Sequence, residues 1–302
     1  MTALFDQPGP EDRQHRPPDE VILATRYALN SLSPDALRRN AGDIDMLRQL
    51  VDETLMLGRA VRAAIAGGAF GLVFQPIVDI AGDHTIHHEA LLRFDGQESP
   101  EQAVLLAEEL GFGTDLDRAV TGRIIDLLDR AEPDPPVLAV NLSGYSVEDS
   151  GFVEELLAKL RRSRIRPSRL MFEVTESARA PSPHRLDSSI ARLRQSGYAI
   201  GLDDFGAGAA SLDRLRRLDV DFVKIDRSLV SRLGRNPRDE ALLRGICQAC
   251  AEMNVRVIGE GVESDRQAAC LRALGIRYAQ GWLFGRPVGR SDDNGPDHWA
   301  DG

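Results

Sequence analysis

Six short apolar runs each end on a polar or charged residue: VLAV at Asn141, LMF at Glu173, AIGL at Asp203, FV at Lys224, RVIG at Glu260 and RYA at Gln280. No other feature constrains the fold as strongly. A short run rich in Val, Ile and Leu, followed by a longer amphipathic stretch, reads as a parallel strand feeding a helix. If such strands close into a barrel, their C-terminal ends meet on one face, where barrel enzymes place their chemistry. The acids, amides and lysine at these ends then converge on one pocket.

The 302 residues fit one barrel of about 250 residues with an N-terminal extension. Hydrophobic residues make up 42% of the chain, enough for a large core, and charged residues make up 28%. The net charge of −10 argues against a nucleic-acid polymer or an anionic membrane as partner, because both select for excess Lys and Arg. No apolar stretch approaches the ~20 residues that span a bilayer. The first twenty residues lack the basic and apolar regions of a signal peptide, so a cytoplasmic protein is expected. The three cysteines make no disulfide framework, and Cys247 and Cys250 stand at helical spacing, which suits small buried helix residues better than a redox or zinc site.

Residues 1–19 are Pro-rich and charged and read as a flexible tail. Residues 20–58 read as a helical extension whose pattern runs on toward Gly67 and Gly68. Ile44, Leu47, Val51, Leu55, Val61 and Ile65 fall near one stripe, suited to packing on the barrel or to a signalling partner. Residues 59–290 read as the barrel and 291–302 as a second flexible tail. GLVFQPIVDI and HTIHHEALLRF, joined by AGD, form an expected antiparallel hairpin. Helices near 100–110, 115–131, 147–162, 184–196, 211–218, 238–253 and 265–274 then alternate with strands. Seven of the eight strands suit the barrel wall. The expected class is α/β: a TIM-like (β/α)8 barrel with an antiparallel first strand, preceded by a short helical N-terminal extension. The basic run RRSRIRPSR carries no interleaved aromatics and reads as a solvated face.

In the second strand Glu89, Leu91 and Arg93 alternate and share a side. Glu89 and Arg93 there suit either a metal and a phosphate or a buried ion pair. Glu89, Asn141, Glu173, Asp203 and Asp204 supply hard oxygen ligands of the kind Mg²⁺ or Mn²⁺ prefers. Burying so many like charges is costly without cations. Adjacent Asp203 and Asp204 leave the strand in different directions and can reach two ions ~4 Å apart. Lys224 can hold water or neutralise acids. Glu260, in the Gly-flanked GEGVE turn, is a candidate general base, and Gln280 can orient water or ligand.

FQPIVD, EALLR at 89–93, NLS at 141–143, FEVTES at 172–177, DDFGAG at 203–208, VKID at 223–226, GEGVE at 259–263 and QGWLFGRP at 280–287 follow one another in order. Through them the chain resembles the EAL-domain cyclic di-GMP phosphodiesterases over residues 59–290. The resemblance implies divalent-metal-dependent hydrolysis of cyclic di-GMP to linear pGpG with Mg²⁺ or Mn²⁺, two ions being expected. It implies Glu89, Asn141, Glu173, Asp203 and Asp204 as the metal set, with Lys224 and Glu260 orienting or deprotonating the attacking water. Gln75, Leu91, Arg93 and Gln280 would contact substrate, Asp226 would be a further site residue, and Glu176 would anchor the loop after Asp204. A homodimer is also implied. The N-terminal helices name no partner of their own.

The chain departs from the family pattern in places. The segment after EALLR is shortened to FDGQESPEQ, His87 stands where glycine is common, and Ala209 and Ala210 replace the usual tyrosine and serine. The first bears on the pocket rim and the last on coupling to a dimer. Two other readings compete: a non-hydrolytic cyclic di-GMP receptor acting through protein contacts, and a metal-dependent barrel that enolises acids. Retention of every metal-type residue favours the hydrolase over the first, and EALLR with QGWLFGRP is foreign to the second. His84, His87 and His88 do not make a zinc site, since alternation sends His87 and His88 to opposite faces. Asp204-Phe205-Gly206 mimics a kinase motif without the phosphate loop that a kinase needs.

Overall fold

The computed structural model describes residues 18–31, 44–82, 84–94, 100–131, 135–175, 183–206 and 211–289. They divide into two compact units, one within 1–69 and 98–116, the other within 70–97 and 117–302. The expected tails, apart from residues 18 and 19, lie outside the described residues, as do Glu176, Ala209, Ala210 and the SPDALRRN segment.

The first unit is helical. Helix α1 (Pro18–Ser31) starts within the expected tail, so Asp19 lies in its first turn. It packs against α2 (Ile44–Gly67), and α2 also meets α3 (Pro100–Glu109). Val51, Leu55, Val61 and Ile65 of the expected stripe are buried, whereas Ile44 is exposed because it opens the helix before the packed face begins. Arg26 pairs with Glu109, and the Arg62 guanidinium lies 4.7 Å from the Phe112 ring centroid.

The second unit is an eight-stranded barrel. Strands β1 (Gly71–Asp79), β2 (His84–Arg93), β3 (Leu138–Leu142), β4 (Leu170–Thr175), β5 (Ala199–Phe205), β6 (Phe222–Ile225), β7 (Arg256–Gly259) and β8 (Tyr278–Gln280) pair in sequence order, and β1 closes the ring between β8 and β2. Neighbours from β2 to β8 are parallel, while β1 is antiparallel to both of its neighbours in the ring. All eight strands therefore serve the wall, one more than alternation alone indicated. A two-residue strand β9 (Val288–Gly289) pairs with β1 at Val73 and Phe74 outside the ring.

Helices α4 (Gly113–Arg130), α5 (Gly144–Glu148), α6 (Ser150–Arg162), α7 (Pro183–Gln195), α8 (Ser211–Arg217), α9 (Arg227–Val230), α10 (Pro237–Glu252) and α11 (Asp265–Ala273) fall between the strands. The helix expected over 147–162 is broken: Asp149 is extended, and its carboxylate accepts hydrogen bonds from the backbone N–H groups of Gly151 and Phe152, which starts α6 afresh. RRSRIRPSR is mostly exposed, as a solvated face requires.

Strand period two sorts the interior into layers. Ile77, Ala139, Met171, Phe222 and Ile258 form an apolar cluster. Two residues away stand Gln75, Asn141, Glu173 and Lys224 on the same strands, and Glu260 directly after β7. Gly201 is what lets the apolar layer close, since a Cβ there would lie 2.2 Å from the Phe222 ring.

Candidate functional site

The polar layer centres on Lys224, which is 0% exposed. Its Nζ lies 3.0 Å from Glu89 Oε2, 3.0 Å from Glu173 Oε2, 3.1 Å from Asp203 Oδ1 and 2.8 Å from Glu260 Oε1. Four strands thus deliver carboxylates to one ammonium, Glu89 from the middle of β2 and the others from strand ends. Around Glu89, the Asn141 amide donates to Oε1 at 2.7 Å and the Gln280 amide to Oε2 at 2.7 Å. Gln280 also donates to Gln75 Oε1, and Gln75 in turn donates to the carbonyl of Gly285.

Backbone geometry sets the acids at their heights. Asp204 adopts φ 54°, a left-handed conformation rare for a residue with a side chain, and its N–H donates to Asp203 Oδ1 at 3.0 Å. The two carboxylates thereby leave the strand in different directions. Glu260 is held by its N–H on the carbonyl of Ile225. Gly261 follows at φ 62°, where a Cβ would meet that of Arg227 at 2.5 Å. Ser264 then caps α11 reciprocally with Gln267, whose Oε1 accepts from the N–H of Glu263.

The electrostatics follow from one cation among four acids. Burial pushes Glu173 and Glu260 well above the usual carboxylate range and raises Asp203, each against the pull of Lys224. Burial also raises Asp204 to about 6, with the Asp203 charge adding to it. Glu89 is the exception. Burial pushes it up, but the Lys224 charge and the hydrogen bonds from Gln280, Lys224 and Asn141 bring it below its ordinary value. Burial opposes the Lys224 ammonium, yet Asp203, Glu173, Glu260 and Glu89 together hold its pKa well above normal. One positive charge cannot offset four; protons held by the raised carboxyls take up the surplus, and divalent cations would displace them.

The donor set fits such cations. Glu89, Glu173 and Asp203 bring one carboxylate oxygen each within 4.8 Å of one another, and so do Asp203, Asp204 and Glu260. Asp203 belongs to both groups. Glu173 Oε1 and Asn141 Oδ1 are buried without a hydrogen-bond partner among the described residues, as hard oxygens available to an ion would be. Glu260, read from sequence as a base alone, also sits within ligand reach.

Other expected site residues lie apart from this cluster. Arg93 does not pair with Glu89; its guanidinium donates to the carbonyl of Leu92 at 2.7 Å, and it lies four residues further along β2, about 13 Å. Leu91 stands between them, half-buried. Asp226 caps α9 through Ser228 N–H at 2.9 Å, near enough to Asp204 for its charge to be felt there. His87 is buried inside the barrel, 6.3 Å ring to ring from Phe222, and burial lowers its pKa to about 3. Cys247 and Cys250 lie on α10 with their thiols pushed up to about 11 by burial, away from the thiolate form that a redox or metal site uses.

Sequence reasoning missed Asp117. Its buried carboxylate accepts the N–H of Ser143 at 2.8 Å and so fixes the turn directly after Asn141. An acid inside a helical pattern, 26 residues from its partner, leaves no local signal. Thr175 was also missed. Its buried hydroxyl lies beside Asp203 in the strand register and has no hydrogen-bond partner among the described residues. Its place directly after FEV at a strand end was the available signal.

The family model described as the EAL domain matches residues 58–287. Cyclic di-GMP phosphodiesterase PdeF of Escherichia coli (strain K12) is 31% identical over 274 residues, covering 89% of this chain and 36% of that protein. Cyclic di-GMP phosphodiesterase RocR of Pseudomonas aeruginosa is 29% identical over 275 residues, covering 88% and 69%. The FimX EAL domain from Pseudomonas aeruginosa, solved bound to c-di-GMP, superposes with a TM-score of 0.69 at 27% identity, covering 78% of this chain and 98% of that one. The chain spans 36% to 45% of the length of the first curated relatives that it matches. No described helix is long and apolar enough to cross a membrane.

Proposed function

The chain belongs to the EAL domain family, and from that premise we propose that it hydrolyses one phosphodiester of cyclic di-GMP to give linear pGpG. The observation that carries this reading is the pair of oxygen-ligand groups sharing Asp203, built around Lys224 on one face of the barrel. We assign Glu89, Asn141, Glu173, Asp203 and Asp204 to two divalent ions, Mg²⁺ or Mn²⁺. Ions bound there would polarise the phosphoryl oxygens and offset charge on the attacking and leaving oxygens.

The protein's own groups do the rest. Glu260 takes the proton from the attacking water; burial raises its basicity and Lys224 fixes its direction at 2.8 Å. Lys224 also holds Glu89, Glu173 and Asp203 in place. Gln280 and Gln75 form a hydrogen-bonded edge that orients the substrate, and Leu91 and Arg93 lie farther along β2, where a second phosphate or base would reach. Asp226 acts on Asp204 through charge, and Glu176 is assigned to anchor the loop beyond it. A homodimer, a signalling partner for the N-terminal helices of 20–58 and a cytoplasmic setting complete the proposal, supported by the family and by the helical first unit.

The test is to incubate the chain with cyclic di-GMP and Mg²⁺ or Mn²⁺ and follow pGpG by chromatography. Metal-dependent product that disappears in Glu260→Ala supports the assignment. Tight binding without product would make the protein a receptor, and undiminished product from Glu260→Ala would remove Glu260 as the base.

A further inference from the structure

Beyond Gln280 the chain makes a tight turn at the rim of the polar layer. The N–H of Val262 donates to the carbonyl of Gln280, and the N–H of Leu283 donates to the carbonyl of Val262, each at 3.0 Å. Gly281 is required by this approach, because a Cβ there would lie 2.1 Å from the Val262 oxygen. On the other side, Gly285 accepts from Gln75, and a Cβ on Gly285 would lie 2.7 Å from the Pro76 ring. The turn is thus fastened to the elements that carry Glu260, Gln280 and Gln75.

On this fastened turn Trp282 is 60% exposed. The Arg286 guanidinium lies 4.9 Å from its ring centroid, and no carboxylate of the described residues pairs with that arginine. A large indole left in solvent on a rigid turn forgoes apolar contact that a core position would have supplied. Both groups suit a planar, electron-rich ligand with acceptor edges. A purine can replace the guanidinium on the indole face, and the flexible arginine, swung to the edge of the stacked base, can pair in a fork with guanine O6 and N7, which adenine cannot match because its 6-position carries a donor. Trp282 stands two residues past Gln280, on a turn that is held to Val262, itself two residues past Glu260. In a cyclic dinucleotide only a ribose separates the phosphate from the base.

We propose that Trp282 and Arg286 form a base platform that stacks one guanine of the substrate and reads its O6/N7 edge, making them specificity-determining residues. The inference rests on the cyclic di-GMP reading above. Steady-state kinetics of the full chain with Mn²⁺ test it. Trp282→Ala should raise KM for cyclic di-GMP about tenfold with kcat within about twofold, while Trp282→Phe keeps most of the affinity. Arg286→Ala should lower the preference for cyclic di-GMP over its adenine counterpart about tenfold.

The chain has two tryptophans, so Trp299→Phe leaves Trp282 as the sole indole. Its fluorescence should then be quenched saturably by cyclic di-GMP. A KM unmoved by Trp282→Ala, or hydrolysis without quenching, overturns the platform while leaving the function standing. A wild-type chain that neither binds nor hydrolyses cyclic di-GMP would overturn the underlying reading, and the platform with it.

Discussion

Two layers of side chains stand one above the other inside the same barrel, each with a fully buried member at its centre, and opposite in chemistry. Phe222 and Lys224 lie two residues apart on one strand, and each is 0% exposed. The apolar layer is a sum of local contacts, in which each side chain touches its neighbours and can be truncated at the cost of a cavity. In the polar layer a single ammonium serves four strands, so no member can be altered without reassigning the others. Depth of burial therefore says little about what a position contributes; the number of strands sharing its partner says more.

Substitutions can break this contrast. The largest effect is expected from Glu89→Ala, which removes the acceptor of Asn141, Lys224 and Gln280 together: turnover should fall about 10³-fold. The temperature of thermal unfolding should also fall, because the buried amides of Asn141 and Gln280 lose their acceptor. Next comes Phe222→Ala, with an expected loss of about 3–5 kcal/mol in urea unfolding, since its ring fills the space that Gly201 leaves.

Lys224→Met should cost about 3 kcal/mol when unfolded in chelator, because four buried acids lose their shared counter-charge. Millimolar Mn²⁺ should narrow that deficit. A deficit indifferent to Mn²⁺ would show that the acids do not require a cation, and the contrast between layers would lose its electrostatic basis.

The smallest effect belongs to Asp79, at the far end of β1. The hydrogen bond from Arg277 holds its carboxyl down at about 2, against burial, with the Ala81 and Gly82 N–H groups assisting. A carboxyl lowered from 3.8 contributes stability above about pH 4 and loses it as pH falls through about 2. The stability gap between wild type and Asp79→Asn, measured by unfolding across pH 2–6, should therefore close toward the acid end.

Much of this was legible in the sequence because strands report themselves locally. Apolar runs stopping at Asn141, Glu173, Asp203, Lys224, Glu260 and Gln280 placed six polar ends on one face, and alternation separated Glu89 from its neighbours. What alternation cannot give is where a long side chain goes once it has a face: Arg93 turns to the carbonyl of Leu92, and Lys224 crosses to Glu89, 135 residues away. The break at Asp149 was readable from its Asp-Ser-Gly cap, but the helical period ran over it. Asp117 was invisible because its partners, the N–H of Ser143 and the hydroxyls of Ser143 and Ser146, lie 26 residues or more along the chain, beyond any local pattern.

The left-handed backbone at Asp204 has a consequence for lineages as well as for single molecules. A side chain at φ 54° carries a conformational cost, smaller for aspartate than for most residues, that glycine would not bear. Asp204→Gly should accordingly unfold at higher temperature than the wild type while losing turnover. A descendant released from the need to hydrolyse would gain robustness by giving up that carboxylate, so the drift from enzyme toward mere binder runs downhill in stability, and an aspartate kept at this position is one that chemistry, not folding, requires.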